Sequence, residues 1–109
     1  MKRSALVTCA ALSGAVAVMA GAFGAHGASG KAAEWLRTGA VYQMVHTVAA
    51  LVALQLGGRL AATLLVAGAA VFALTLYAMA LGAPTWLGAV TPIGGIGMIA
   101  GWIVLALRR

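Results

Sequence analysis

The chain has 109 residues, 64% hydrophobic and only 7% charged, where a soluble domain carries about a quarter of its residues as charges. Lipid is therefore its expected solvent. Its one acidic residue, Glu34, rules out the paired carboxylates of general acid/base hydrolysis, and its one cysteine, Cys9, rules out an intrachain disulfide or a multi-cysteine metal centre.

A membrane span takes roughly 20 apolar residues for a hydrocarbon core of about 30 Å. The runs Ser4–Ala25, Gly39–Gly57, Leu60–Leu81 and Leu87–Leu107 hold 22, 19, 22 and 21 residues. The composition predicts an all-α fold over residues 1–109 as a single integral membrane domain. It is a four-transmembrane-helix bundle with a short interfacial amphipathic helix between the first and second helices.

The first run follows Lys2-Arg3 and ends near Ala20-Gly21-Ala22, a pattern shared with cleavable signal peptides. It is read as a retained span. Ala10, Gly14, Ala17, Gly21 and Gly24 form a stripe of small residues on it, as expected where another backbone approaches closely. Residues 26–38 form the only sizeable loop. Ser29 can cap a short helix there, with Ala32, Trp35 and Leu36 on one arc, so the segment is expected to lie flat with Trp35 as its interfacial anchor.

Gly57-Gly58 makes a tight turn that pairs the second and third spans as a hairpin. The third span, rich in Leu, Val and Ala, is expected to face lipid. Pro84 then stops helical continuity and Trp86 suits the interface. In the fourth span Thr91-Pro92 predicts either a late helix start or a kink, with an irregular backbone near Gly88 that needs shielding. That irregular start is expected to pack against the Gln43/His46 face. Gly97 and Gly101 give the fourth span a GxxxG whose partner, within the chain or on another copy, the sequence leaves open.

The net charge of +6 comes from Lys and Arg residues at the ends of apolar runs. They read as topology signals and lipid-phosphate contacts, so no nucleic-acid partner is expected. Five lie on the side of the termini and two on the other, which predicts cytoplasmic termini.

The remaining polar residues gather by depth. His26, Tyr42, Gln43, His46, Tyr77 and Thr91, with Pro92, all fall in the half away from the termini. Gln43 and His46 are three apart and share a helix face that should point inward, since polar groups at membrane depth seek protein partners. The cluster is a possible ligand or proton site, or simply a hydrogen-bonded tie between helices. His26 lies at the span end, well above His46, and two histidines leave a zinc site two ligands short. No cofactor, no metal and no catalytic residue is expected.

Gly21-Ala22-Phe23-Gly24-Ala25-His26, Tyr42-Gln43-Met44-Val45-His46 and Gly88-Ala89-Val90-Thr91-Pro92-Ile93-Gly94-Gly95 with Gly101-Trp102 stand in this order along the chain. Together they resemble the YgdD-like family of small bacterial inner-membrane proteins (domain of unknown function 423, with relatives called transmembrane protein 256). The resemblance implies four transmembrane helices, a multi-pass place in the bacterial inner membrane, and no activity that can be carried over. The expected role is a non-enzymatic membrane protein, either an accessory, assembly or scaffold component of a membrane complex or a small homo-oligomer. The alternative is a transporter or a small-ligand or lipid-binding protein using Gln43 and His46.

Overall fold

Each apolar run becomes a helix or part of one, and glycine turns end two of them. The computed structural model describes residues 2–108. Helix α1 spans Arg3–His26, α2 Gly30–Gln55, α3 Arg59–Ala80 and α4 Thr91–Leu107, with a 3₁₀ segment at Thr85–Ala89 before α4. Helices α2 and α3 end in the same way. Gly57 and Gly82 take φ of +83° and +105°, where a Cβ would be strained. The following N–H groups turn back onto the last carbonyls, Gly58 N–H to Ala53 O at 2.7 Å and Ala83 N–H to Ala78 O at 2.9 Å. Carbonyls that the helix itself leaves open are thereby satisfied beside the membrane.

Neighbouring helices run antiparallel. Arg3 at the start of α1 reaches Leu54 at the end of α2, while Gly24 near the end of α1 abuts Leu36 near the start of α2. Helix α4 lies on α3 through Gly97 against Gly68 and Gly101 against Leu65, and its Leu105 returns to the Gly58 turn. Lys2, Arg3, Arg59 and Arg108 thus share one end of a body 44 Å long, about the thickness of a bilayer with its headgroups. Large aliphatic side chains such as Leu12, Val18, Val45, Val52, Ile96 and Ile103 stand exposed around its flanks. Three stretches, Arg3–His26, Arg59–Ala80 and Thr85–Leu107, are long and apolar enough to cross a membrane. The result is an all-α, multi-pass helical membrane bundle.

Two expectations are corrected. The flat interfacial helix over 26–38 is not a separate element, because Gly30–Gln55 is one unbroken helix of 26 residues, about 39 Å at 1.5 Å per residue. No proline lies between Lys31 and Thr38, and Ala33 and Leu36 of this segment are buried. Packing therefore continues straight through. Ser29 sits at the N-cap position without a side-chain capping bond.

Nor is α3 the span with the most outward-facing surface, although Leu60, Val71 and Leu74 remain exposed on it. Its most apolar stretch is 44% buried, against 22% in α1 and in the last span. Alanines at 61, 62, 69 and 73 and Gly68 let α1, α2 and α4 close around it. In a membrane small residues mark contact between helices, so alanine content outweighs overall apolarity as a guide. The GxxxG of α4 finds its partner in this same helix, within the chain.

Candidate functional site

Gln43 is the hub of the buried polar groups. Its Nε2 donates to Ser13 Oγ of α1 at 2.9 Å, and its Oε1 accepts from the Tyr77 hydroxyl of α3 at 2.7 Å. One side chain therefore ties three helices, and it is only 2% exposed. Gly39, one turn earlier on α2, makes this possible. A Cβ there would stand 2.5 Å from Tyr77 Cε1, so its absence lets the ring come close against α2, with its hydroxyl reaching Gln43. Small residues admit α1 to the same place, where Gly14 meets the Thr47 methyl and Gly21 meets Ala40. The Thr47 hydroxyl beside them is buried and has no partner among the described residues.

His46 is buried too but points elsewhere. Its Nδ1 lies 2.7 Å from the Tyr42 carbonyl. Since a carbonyl only accepts, Nδ1 is the donor of this bond, and in that tautomer Nε2 is an acceptor. The ring meets Trp102 of α4 edge-on with centroids 5.8 Å apart, and Tyr42 packs on Phe72 at 4.7 Å. A shallow groove of about 290 Å³, lined by Val41, Tyr42, Val45 and His46, opens here on the outer face of α2. Gln43 and His46 thus share the buried side of α2 yet serve different neighbours.

Thr91 belongs to a third group. Its Oγ1 lies 2.6 Å from Thr75 Oγ1 of α3 and donates to Leu87 O at 3.3 Å when not used for Thr75. The expected break is present, with 3₁₀ geometry giving way to α4 after Val90. Its backbone is satisfied by Val90 N–H to Leu87 O and Ile93 N–H to Val90 O, both at 2.9 Å. The expected contact with the Gln43/His46 face is overturned. Gly94 instead lets α4 press on the backbone of Phe72 and Gly68, where a Cβ would collide. Thr91 is the first helical residue rather than the cap, and Pro92 follows it, exposed.

His26 ends α1 in an exposed position. Gly24 packs on Leu36, ten residues before His46, or about 15 Å along α2, so the histidines do not meet. The six residues 26, 42, 43, 46, 91 and 92 are therefore distributed over separate places. Among the described residues no three His, Cys, Asp or Glu side chains gather around one point.

Ser13, Gly68 and Thr75 make contacts outside the sequence expectation. Ser13 was legible in principle, since Leu6, Ala10, Ser13, Ala17, Ala20 and Gly24 form the buried row of α1, at alternating spacings of three and four. Gly68 stands alone inside a helix of good formers, where it costs about 1 kcal/mol relative to alanine unless packing requires it. Thr75 carries no such signal, because a threonine that bonds its own helix, as here to Val71 O at 2.9 Å, is common anywhere in a span.

These features define a small integral membrane protein built from close-packed helices around a polar tie. The family model described as "Protein of unknown function (DUF423)" matches residues 20–95. A UPF0382 membrane protein of Haemophilus influenzae is 43% identical over 110 residues, covering 92% of this chain and 89% of its own. UPF0382 membrane protein YwdK of Bacillus subtilis is 34% identical over 110 residues, covering 89% of each chain. UPF0382 inner membrane protein YgdD of Escherichia coli K12 is 37% identical over 107 residues, covering 88% of this chain and 82% of its own. No solved structure matches. The chain belongs to the DUF423/UPF0382 family.

Proposed function

We propose that this protein is a non-enzymatic accessory or assembly component of the bacterial inner membrane, acting through lateral contact with another membrane protein or with copies of itself. The observation that carries the reading is the closed state of its deepest polar side chain. Both ends of Gln43 are bonded inside the bundle, so that group serves packing rather than a ligand. The outward faces are large and aliphatic, as on α4 with Ile93, Ile96, Ile99 and Ile103, a surface suited to lipid or to a neighbouring helix. The inner-membrane assignment is supported by the name of the Escherichia coli relative.

In this reading all four helices cross. Helix α2 is sandwiched between α1 and α3, and its outer row of Val41, Val45, Val48 and Val52 is apolar. Both termini are placed in the cytoplasm on the basic-residue excess. Cysteines introduced at Ser29 and Ala83 should label only from outside and one at Gly58 only from inside, the reverse pattern refuting the orientation. A photo-crosslinker at Ile96 in native membranes should capture a discrete protein adduct. Adducts with lipid alone from every outward position of α4 would count against an assembly role.

The His46 side of α2 also suits binding of a small molecule. The acceptor Nε2 of His46 makes no hydrogen bond among the described residues, and the ring borders the groove on α2. A small amphipathic molecule bearing a donor group would fit that acceptor. Its signature would be quenching of Trp102 fluorescence, which an assembly protein with an empty groove would not show.

A further inference from the structure

We propose that the seam between α1 and α2 at the basic end holds one anionic phospholipid, its phosphate on Arg3 and an acyl chain in the groove beneath. The groove is an open trough of about 400 Å³. Its walls are Val7 of α1 and Val48, Leu51 and Val52 of α2, with Arg3 and Gln55 at its mouth. Val48 and Gln55 are two turns apart, so the trough runs about 10 Å along the helix axis from a charged end to an apolar one. Its polarity follows the gradient of a lipid molecule.

The guanidinium is fixed in place over that mouth. Its Nη1 donates to Leu54 O at 2.8 Å and its Nη2 to Gln55 Oε1 at 3.3 Å. Arg3 thereby caps the carbonyl end of α2, where a cation is favoured. Two of its five N–H groups are used, and three remain for a phosphate, which arginine binds through paired donors. The surroundings select for negative charge. Lys2, Arg59 and Arg108 stand at the same end, while the chain's one acidic residue, Glu34, lies in the first turns of α2 at the opposite end. A lipid with a quaternary ammonium would bring a like charge against this cluster, and phosphatidylglycerol would not.

The test uses the full chain purified in mild detergent, with phosphatidylglycerol or phosphatidylcholine of matched acyl chains added and retention read by native mass spectrometry. The wild type should keep one phosphatidylglycerol per chain with a preference of about tenfold over phosphatidylcholine. Arg3→Gln should abolish the preference and Arg3→Lys retain most of it. Val48→Trp, which fills the groove without touching charge, should lower retention of both lipids, and Arg37→Gln at the opposite end should change neither. Val48→Trp remains informative if loss of the α2 cap unfolds Arg3→Gln. Equal retention of the two lipids by the wild type, or an unaltered preference in Arg3→Gln or unaltered retention in Val48→Trp, would overturn the proposal. So would a lipid-free dimer that Val48→Trp dissociates, since the groove's occupant would then be a second copy.

Discussion

Replacing Gln43 with leucine removes the two bonds that join α1, α2 and α3 while leaving side-chain volume nearly unchanged. Interhelical hydrogen bonds in membranes contribute about 0.6 kcal/mol on average and up to about 1.7. The two partners then fare differently. Ser13 can turn to the carbonyl four residues back on its own helix, but the Tyr77 hydroxyl lies at the end of a rigid ring packed on Gly39 and cannot reach its own backbone. An orphaned buried hydroxyl costs about 1–3 kcal/mol, so Gln43→Leu should destabilise the bundle by about 2–4 kcal/mol.

Tyr77→Phe alone should cost less, because the amide left behind keeps its bond to Ser13. The double variant has no orphaned hydroxyl and should be more stable than the sum of the single effects by about 1–2 kcal/mol. Reversible unfolding in mixed micelles, followed by circular dichroism, measures all four corners of the cycle. Strict additivity, or a Gln43→Leu variant as stable as the wild type, would refute the assignment of Gln43 as the tie between helices.

Other substitutions separate neighbouring effects. Gly94→Ala should destabilise by about 1–3 kcal/mol through overpacking, because its Cβ meets backbone of α3. Gly95→Ala, with nothing within 4 Å, should instead stabilise α4 by roughly 0.5–1 kcal/mol, and thermal melts in detergent compare the two. Thr47→Val removes a buried hydroxyl that lacks a partner and should raise stability by about 1 kcal/mol in the same unfolding assay; a loss of stability would show that the hydroxyl is bonded. His46→Leu should lower the melting temperature and His26→Leu should not, since the first imidazole is buried against Trp102 and the second is exposed. Equal melting temperatures would remove the packing role given to His46.

The helical runs were legible because a bilayer imposes their length and the turn glycines mark their ends. The identity of the buried polar residues was legible for a related reason, since Gln43 and His46 have few tolerable places in lipid. What they bond was not. Pro92 and Thr91 signalled an irregular backbone, and Gln43 and His46 looked like the deepest groups able to shield it, but Thr75 on α3 supplies that contact. Depth along a helix is written in the sequence, whereas rotation about its axis depends on which neighbours can approach. Here the approach is set by Gly39, Gly68 and Gly94, whose effect is the absence of a side chain. The same cause explains α3, where a run of alanines resembles a lipid-facing surface in hydropathy and acts as a packing surface in space.

A bundle closed on its own polar groups is proposed to work through its outer faces, in company with other chains. The most direct measurement is the number and identity of polypeptides in particles excised from native membranes by lipid-nanodisc polymers, with the tagged protein at its natural abundance. The particles should hold more than one polypeptide in fixed proportion, either further copies or a constant partner. A single chain per particle, surrounded by lipid alone across independent preparations, would contradict it.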